Sequence, residues 1–337
     1  FASFPISRIL FTPVFGRLSD RSGRKLFICI GLFSYAIISV GFIWANSVYQ
    51  LVLIRFVHGV AGSMILPIAQ AYIGDISPEG EEGKWMGYSN AAFLGGFGFG
   101  PLMGGVVAEH LGMDIAFLAM GGFSLLAFFI ALIFLPEISR RKLAASPPLS
   151  FKEMSQSSTM VGLFSYRLAF TLGRASFFTF LPIFAVVYLG LRVNLIGVLV
   201  AIYLLLAALL GIPSGRIADR FSRRFMVVIG CLISFTFLAL VPLALDFWHL
   251  LLLCILGSLG GAMSLSASSA LVVEEGRKYG MGTTIAVFTM ALSIGMAAGP
   301  ILGGVIADFV DIKSVFYFGA AVTLVGAVLF IWLTRSR

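Results

Sequence analysis

Charge is the first thing this sequence lacks: of its 337 residues only 11% are Asp, Glu, Lys or Arg, against about a quarter in water-soluble domains. That excludes an ordinary soluble enzyme, and also a disordered chain, which stays unfolded by being polar and highly charged. Cysteine is nearly absent as well. Cys29, Cys231 and Cys254 stand singly inside apolar runs, and the three histidines lie far apart, so neither a disulfide framework nor a metal-ligand spacing exists. What fills the chain is apolar. Hydrophobic residues make up 59% of it and the mean hydropathy is +1.03, the composition of an integral membrane protein. A net charge of +8 in a soluble protein would suggest nucleic acid; here it records which loops face the cytoplasm, and no nucleic-acid partner is expected.

Apolar stretches long enough to cross the hydrocarbon, about 17 residues or more, recur at 26–44, 50–74, 84–107, 113–135, 160–189, 194–214, 225–245, 248–273, 280–307 and 313–333. Ahead of them, 1–15 is too short to span at about 1.5 Å per residue. It reads as the second half of a helix in a longer protein. The runs 16–25, 75–84, 136–159, 215–224 and 274–279 and the tail after Leu333 hold 17 of the 23 lysines and arginines. The exceptions are Arg192 and Lys313 in the alternate loops, and Arg8, Arg55, Arg167 and Arg174 within spans. Because basic residues accumulate on the cytoplasmic side, the middle loop and the C-terminus are expected there.

Two motifs return at one offset. Gly16-Arg17-Leu18-Ser19-Asp20-Arg21-Ser22-Gly23-Arg24-Lys25 recurs as Gly215-Arg216-Ile217-Ala218-Asp219-Arg220-Phe221-Ser222-Arg223-Arg224, and Gly100-Pro101-Leu102-Met103-Gly104-Gly105 recurs as Gly299-Pro300-Ile301-Leu302-Gly303-Gly304, both 199 residues on. The span 160–189 has no partner at that offset, so one further helix is expected ahead of residue 1. The expected fold is all-α and integral to the membrane, with two parallel six-helix bundles and eleven helices visible. An N-terminal bundle occupies 1–135 (helices 2 to 6), a cytoplasmic linker with Pro147-Pro148 occupies 136–159, and a C-terminal bundle occupies 160–337 (helices 7 to 12).

Two parallel six-helix repeats with a basic G-x-L-x-D-R-x-G-R-K run resemble the major facilitator superfamily over essentially the whole chain. Within it, the sequence is similar to the twelve-helix drug:proton antiporters, the group of tetracycline and multidrug exporters. Three stretches carry the likeness: Gly16 to Lys25, with its weaker copy in which Ser222 replaces the second glycine; Leu51 to Gly59, where His58 and the following Ala61 depart from the usual Gln and Gly; and Gly100 to Gly105. The resemblance implies a gate. Gly16, Asp20, Arg21, Gly23 and Arg24, with Asp219 and Arg220 in the copy, would lock the two bundles together on the cytoplasmic side. Taken alone, the basic residues can be topology signals only. The acid differs, because topology does not need it, and Asp20 can pair with its neighbours or cap the positive end of a helix. In the second motif Pro101 and Pro300 remove a helix hydrogen bond, while Gly100, Gly104, Gly105 and Gly299 bare a face for close helix approach. That this bend favours exchange over leak is implied by the resemblance. Glu82 stands where the family leads one to expect arginine.

Charges within spans are functional candidates, each costing about 2.5 to 3.5 kcal/mol on insertion scales. Arg174 is at the midpoint of its span, and Arg167, seven residues earlier, shares its face. Arg8 lies about 12 Å from the loop by helical rise. Arg55 and Arg167 are near enough to span ends to snorkel, and Arg55 occupies the position that, by resemblance, takes part in proton coupling. No acid falls clearly inside a visible span. His58, one turn beyond Arg55, is the titratable candidate, with a packed, hydrogen-bonded histidine as the alternative; relatives often carry a coupling carboxylate on the first helix. Gln70, Asn90, Phe177 and Tyr203 are candidate substrate contacts. Ser264, Ser266, Ser268 and Ser269 are polar too, but small hydroxyls usually serve packing.

The expected activity is secondary transport by alternating access, exporting a hydrophobic or amphipathic drug-like compound in exchange for protons. The alternative is an importer or organic-anion carrier of the same fold. No G-x-x-x-x-G-K run occurs, so ATP is not the driver; no cofactor or metal is expected, and no paired acids or activated nucleophile in a span suggest an enzyme. The partners expected are a small-molecule substrate, protons and the bilayer, for a multi-pass monomer in the plasma membrane of a bacterium or archaeon.

Overall fold

The computed structural model describes residues 3–137 and 151–335; Pro147-Pro148 of the expected linker lies outside the described residues. Among those residues the secondary structure is helical, with no strand: α1 (Ser3–Ser22), α2 (Arg24–Ile43), α3 (Val48–Ile76), α4 (Glu82–Leu111), α5 (Met113–Phe134), a short α6 (Phe151–Gln156), α7 (Ser158–Leu189), α8 (Val193–Arg220), α9 (Arg223–Leu240) with a closing 3-10 turn (Val241–Leu243), α10 (Phe247–Tyr279), α11 (Met281–Phe309) and α12 (Ile312–Thr334). Ten are long and apolar enough to cross a membrane. α1, which carries Arg8, Arg17, Asp20 and Arg21, is not among them.

The helices run further than hydropathy indicates. α1 continues through the polar run to Ser22, α8 to Arg220 and α10 to Tyr279, so the expected ten-residue turns shrink to one or two residues. Glycine makes two of these breaks: Gly23 has φ 100 and Gly280 φ 93, values that an L side chain rarely adopts. Where the repeat has Ser222, the turn is made another way, with a side chain that accepts from Phe225 N as an N-cap. Gly23→Ala is therefore expected to cost about 1 to 2 kcal/mol, since its Cβ would also meet Glu137 Oε1 at 2.7 Å. A lower unfolding temperature in detergent checks this, and an unchanged one refutes it.

Internal packing divides the chain into two compact units: Phe1–Ile76, Gly100–Phe151 and Val273–Ser293 in the first; Ser77–Phe99, Lys152–Val272 and Ile294–Arg337 in the second. The divisions cut α4, α6, α10 and α11, and each unit draws on both sequence repeats. In the first, α1 packs on α3, and α2 on α3 and α5, around Ile28, Phe42, Met64 and Ile68. In the second, α7 and α9 pack on α12, and Phe177, Leu181, Leu199 and Phe316 belong to its core.

Candidate functional site

Asp20, in the last turn of α1, is 5% exposed. Its carboxylate meets the start of α11: Oδ1 accepts from Gly282 N at 2.8 Å, and Oδ2 accepts from Thr283 N at 2.9 Å and Thr283 Oγ1 at 2.8 Å. The first N–H groups of a helix have no partner inside it and carry partial positive charge, so one helix here caps another with a full negative charge. Arg24 balances it. Its Nη2 donates to Asp20 Oδ1 at 2.6 Å, its Nε to Asp75 Oδ2 at 2.9 Å, and its Nη1 to Ser19 Oγ at 2.6 Å. Gly16 permits the approach, since a Cβ there would lie 2.5 Å from Ala286 Cβ and 2.7 Å from Gly282 O.

One repeat later the arrangement returns with its partners exchanged. Asp219, at the end of α8, accepts from Gly83 N and Lys84 N at the start of α4, both at 2.7 Å, and Arg223 Nη2 holds Asp219 Oδ1 at 3.0 Å. A Cβ on Gly215 would collide with the Gly83 carbonyl oxygen. The second acid differs: Arg223 Nη2 also meets Glu82 Oε2 at 2.6 Å, which gives a partner to the acid that replaces the expected arginine. Arg21 and Arg220, named from sequence as gate residues, are exposed. Arg223, Asp75 and Thr283 complete the two caps instead, and the offset that maps Arg24 onto Arg223 was the signal for the first of these.

The charged residues of the spans fall in two places. In the first unit His58 lies among the rings of Phe4, Tyr35 and Phe42, with Arg8 over Phe4 and Arg55, exposed on α3, over Phe42. In the second, Arg174 stands over Phe178 and Tyr203, its Cζ 5.5 and 5.3 Å from their centroids, while Arg167 is buried on the same helix. Phe177 is 1% exposed and packs edge-on against Phe237 at 4.8 Å, a core position. Asn90 Nδ2 donates to Ser269 Oγ at 3.2 Å, and Gln70 is half-buried on α3. Ser266 and Ser268 donate to the Gly211 and Leu265 carbonyls, the packing role usual for small hydroxyls.

The glycine–proline motifs behave unequally. A Cβ on Gly299 would lie 2.7 Å from Leu172 O and one on Gly303 2.7 Å from the Phe180 ring; Ser176 Oγ of α7 donates to Gly299 O at 2.9 Å. Pro300 sits inside this tightly packed stretch of α11. A Cβ at Gly100, Gly104 or Gly105, flanking Pro101 in α4, would meet nothing within 4 Å among the described residues beyond its own stretch of helix. Among the described residues the close approach expected of both copies is made by the second, against α7, and α7 is the helix without a counterpart among the described residues of the first repeat.

Apolar helices of spanning length, an internal repeat and carboxylate caps at corresponding positions define a multi-pass membrane protein of two related halves. The profile of the Major Facilitator Superfamily matches residues 1–192 and 159–337, and the chain belongs to that family of transporters. Among curated proteins it is similar to the quinolone resistance protein NorA of Staphylococcus aureus, 26% identical over 97% of this chain and 84% of that protein. Multidrug resistance protein 1 of Bacillus subtilis is 28% identical over the same shares, and an uncharacterized MFS-type transporter of Methanocaldococcus jannaschii is 26% identical over 98% and 86%. The fold matches that of the human organic anion transporter MFSD10 with a TM-score of 0.81 at 18% identity, covering 98% of this chain and 82% of that one.

Proposed function

We propose that the protein exports hydrophobic or amphipathic drug-like compounds in exchange for protons, by alternating access between the halves 1–135 and 160–337. The observation that carries this reading is the pair of caps, Asp20 on α11 and Asp219 on α4. Alternating access needs a closed contact that can be given up repeatedly. A carboxylate on free helix N–H groups suits that need, because both partners return to water when they part and the net worth of each such bond is about 1.5 to 3 kcal/mol. The basic loops support a cytoplasmic position for this end, and in this reading closing it leaves the site open to the outside. The quinolone and multidrug resistance named in two relatives supports efflux as the direction, and Arg55 with His58 is the group assigned to proton coupling. In this reading the protein works as a monomer in the plasma membrane, C-terminus inside.

Full-length protein in proteoliposomes, with a fluorescent quinolone as the probe, tests the coupling. An imposed pH gradient is expected to raise quinolone movement severalfold over the same vesicles without one. Equal movement in both refutes proton exchange.

A further inference from the structure

Arg8 lies within α1 and is 7% exposed, yet its Nε and Nη2 have no hydrogen-bond partner among the described residues. These two nitrogens form one edge of the guanidinium, the parallel fork that fits both oxygens of a carboxylate. His58 Nδ1, one helix away on α3, is also buried without a partner. Around them stand rings: the imidazole centroid is 5.1 Å from that of Phe4, 4.4 Å from Tyr35 and 5.9 Å from Phe42. Arg8 Cζ is 5.7 Å from the Phe4 centroid and Arg55 Cζ is 5.2 Å from that of Phe42. The charges of Arg8 and Arg55 both act on His58, so the field at the cluster is positive. Positive charge, a planar fork without a partner among the described residues and aromatic walls together select an anion with a flat apolar body, and they repel a cation.

We propose that Arg8 and His58 form a binding site for a single carboxylate carried by an aromatic ligand. The site rests on the transporter reading only in that its occupant would be cargo. Binding is measured at equilibrium without transport, so either can fail while the other stands.

The test uses full-length protein in detergent, with 2-naphthoate and its uncharged analogue 2-naphthamide as probes in calorimetric titrations. The wild type is expected to bind naphthoate at least about tenfold more tightly than naphthamide, Arg8→Met to lose that preference, and Arg8→Lys, which keeps the charge without the fork, to retain part of it. Equal binding of the two probes by the wild type overturns the site. So does naphthoate binding that survives Arg8→Met unchanged. If naphthoate does not bind and Arg8→Met lowers the unfolding temperature where Arg8→Lys does not, the fork belongs to a carboxylate of the protein's own chain, and the ligand site is overturned in favour of that internal pair.

Discussion

Asp20→Asn is expected to speed amide hydrogen exchange at Gly282 and Thr283 by at least about tenfold, because breaking a buried charged pair costs about 3 to 5 kcal/mol and each 1.4 kcal/mol is a factor of ten. The amide side chain offers one oxygen where the carboxylate offers two, and its NH2 faces either the α11 N–H groups or Arg24. With the NH2 toward α11, Thr283 Oγ1 loses its acceptor as well. Exchange read on peptides covering 281–286 of the full-length protein isolates this end of the helix, and unchanged exchange would falsify the cap. Asp219→Asn is expected to act the same way on Gly83 and Lys84, and less strongly: its side chain is 11% exposed against 4% for Asp20, so water already screens part of the interaction.

Gly215→Val is expected to reduce transport below about a tenth of wild type while membrane levels stay normal, from overpacking of about 1 to 3 kcal/mol that the contact cannot absorb. The atoms a Cβ would meet are the Gly83 carbonyl and the Gly87 Cα. These are backbone, with no rotamer to yield, so α8 and α4 must separate and the Asp219 cap goes with them. Gly104→Ala supplies the contrast. The added methyl would meet nothing within 4 Å among the described residues beyond its own stretch of helix, so this variant is expected to transport near the wild-type level. Uptake assays on matched amounts of protein decide between them, and a Gly215→Val protein that transports normally would remove this contact from the cycle.

The spans were legible because length and apolarity alone set them. Their ends were not, and Asp20 shows why: hydropathy counts it as a loop residue, but Arg24 four residues on neutralises it, so α1 stays helical to Ser22 and Asp20 itself is buried. The choice of arginine was open to a closer reading, since Asp20 and Arg24, like Asp219 and Arg223, are four apart and share a helix face, whereas Arg21 and Arg220 do not share it. What no residue pattern displays is the target. The capped groups are backbone N–H of Gly282, Thr283, Gly83 and Lys84, which every residue but proline possesses. The unequal glycine motifs were hidden for a similar reason, because a glycine's spelling does not say whether a neighbour is there to use it.

The two caps obey a rule of exchange. Adding 199 to Asp20 gives Asp219 and adding it to Gly83 gives Gly282, so the contact of Asp20 with Gly282 and that of Asp219 with Gly83 are one contact made twice, each half lending its acid and borrowing the other's helix. That is the reciprocity of an isologous interface, in which residue i of one subunit meets residue j of the other and the reverse. A half-length chain carrying both Asp and Gly could not satisfy itself and would be complete only beside an identical copy. The single chain thus retains, in covalent form, the contact grammar of a symmetric homodimer.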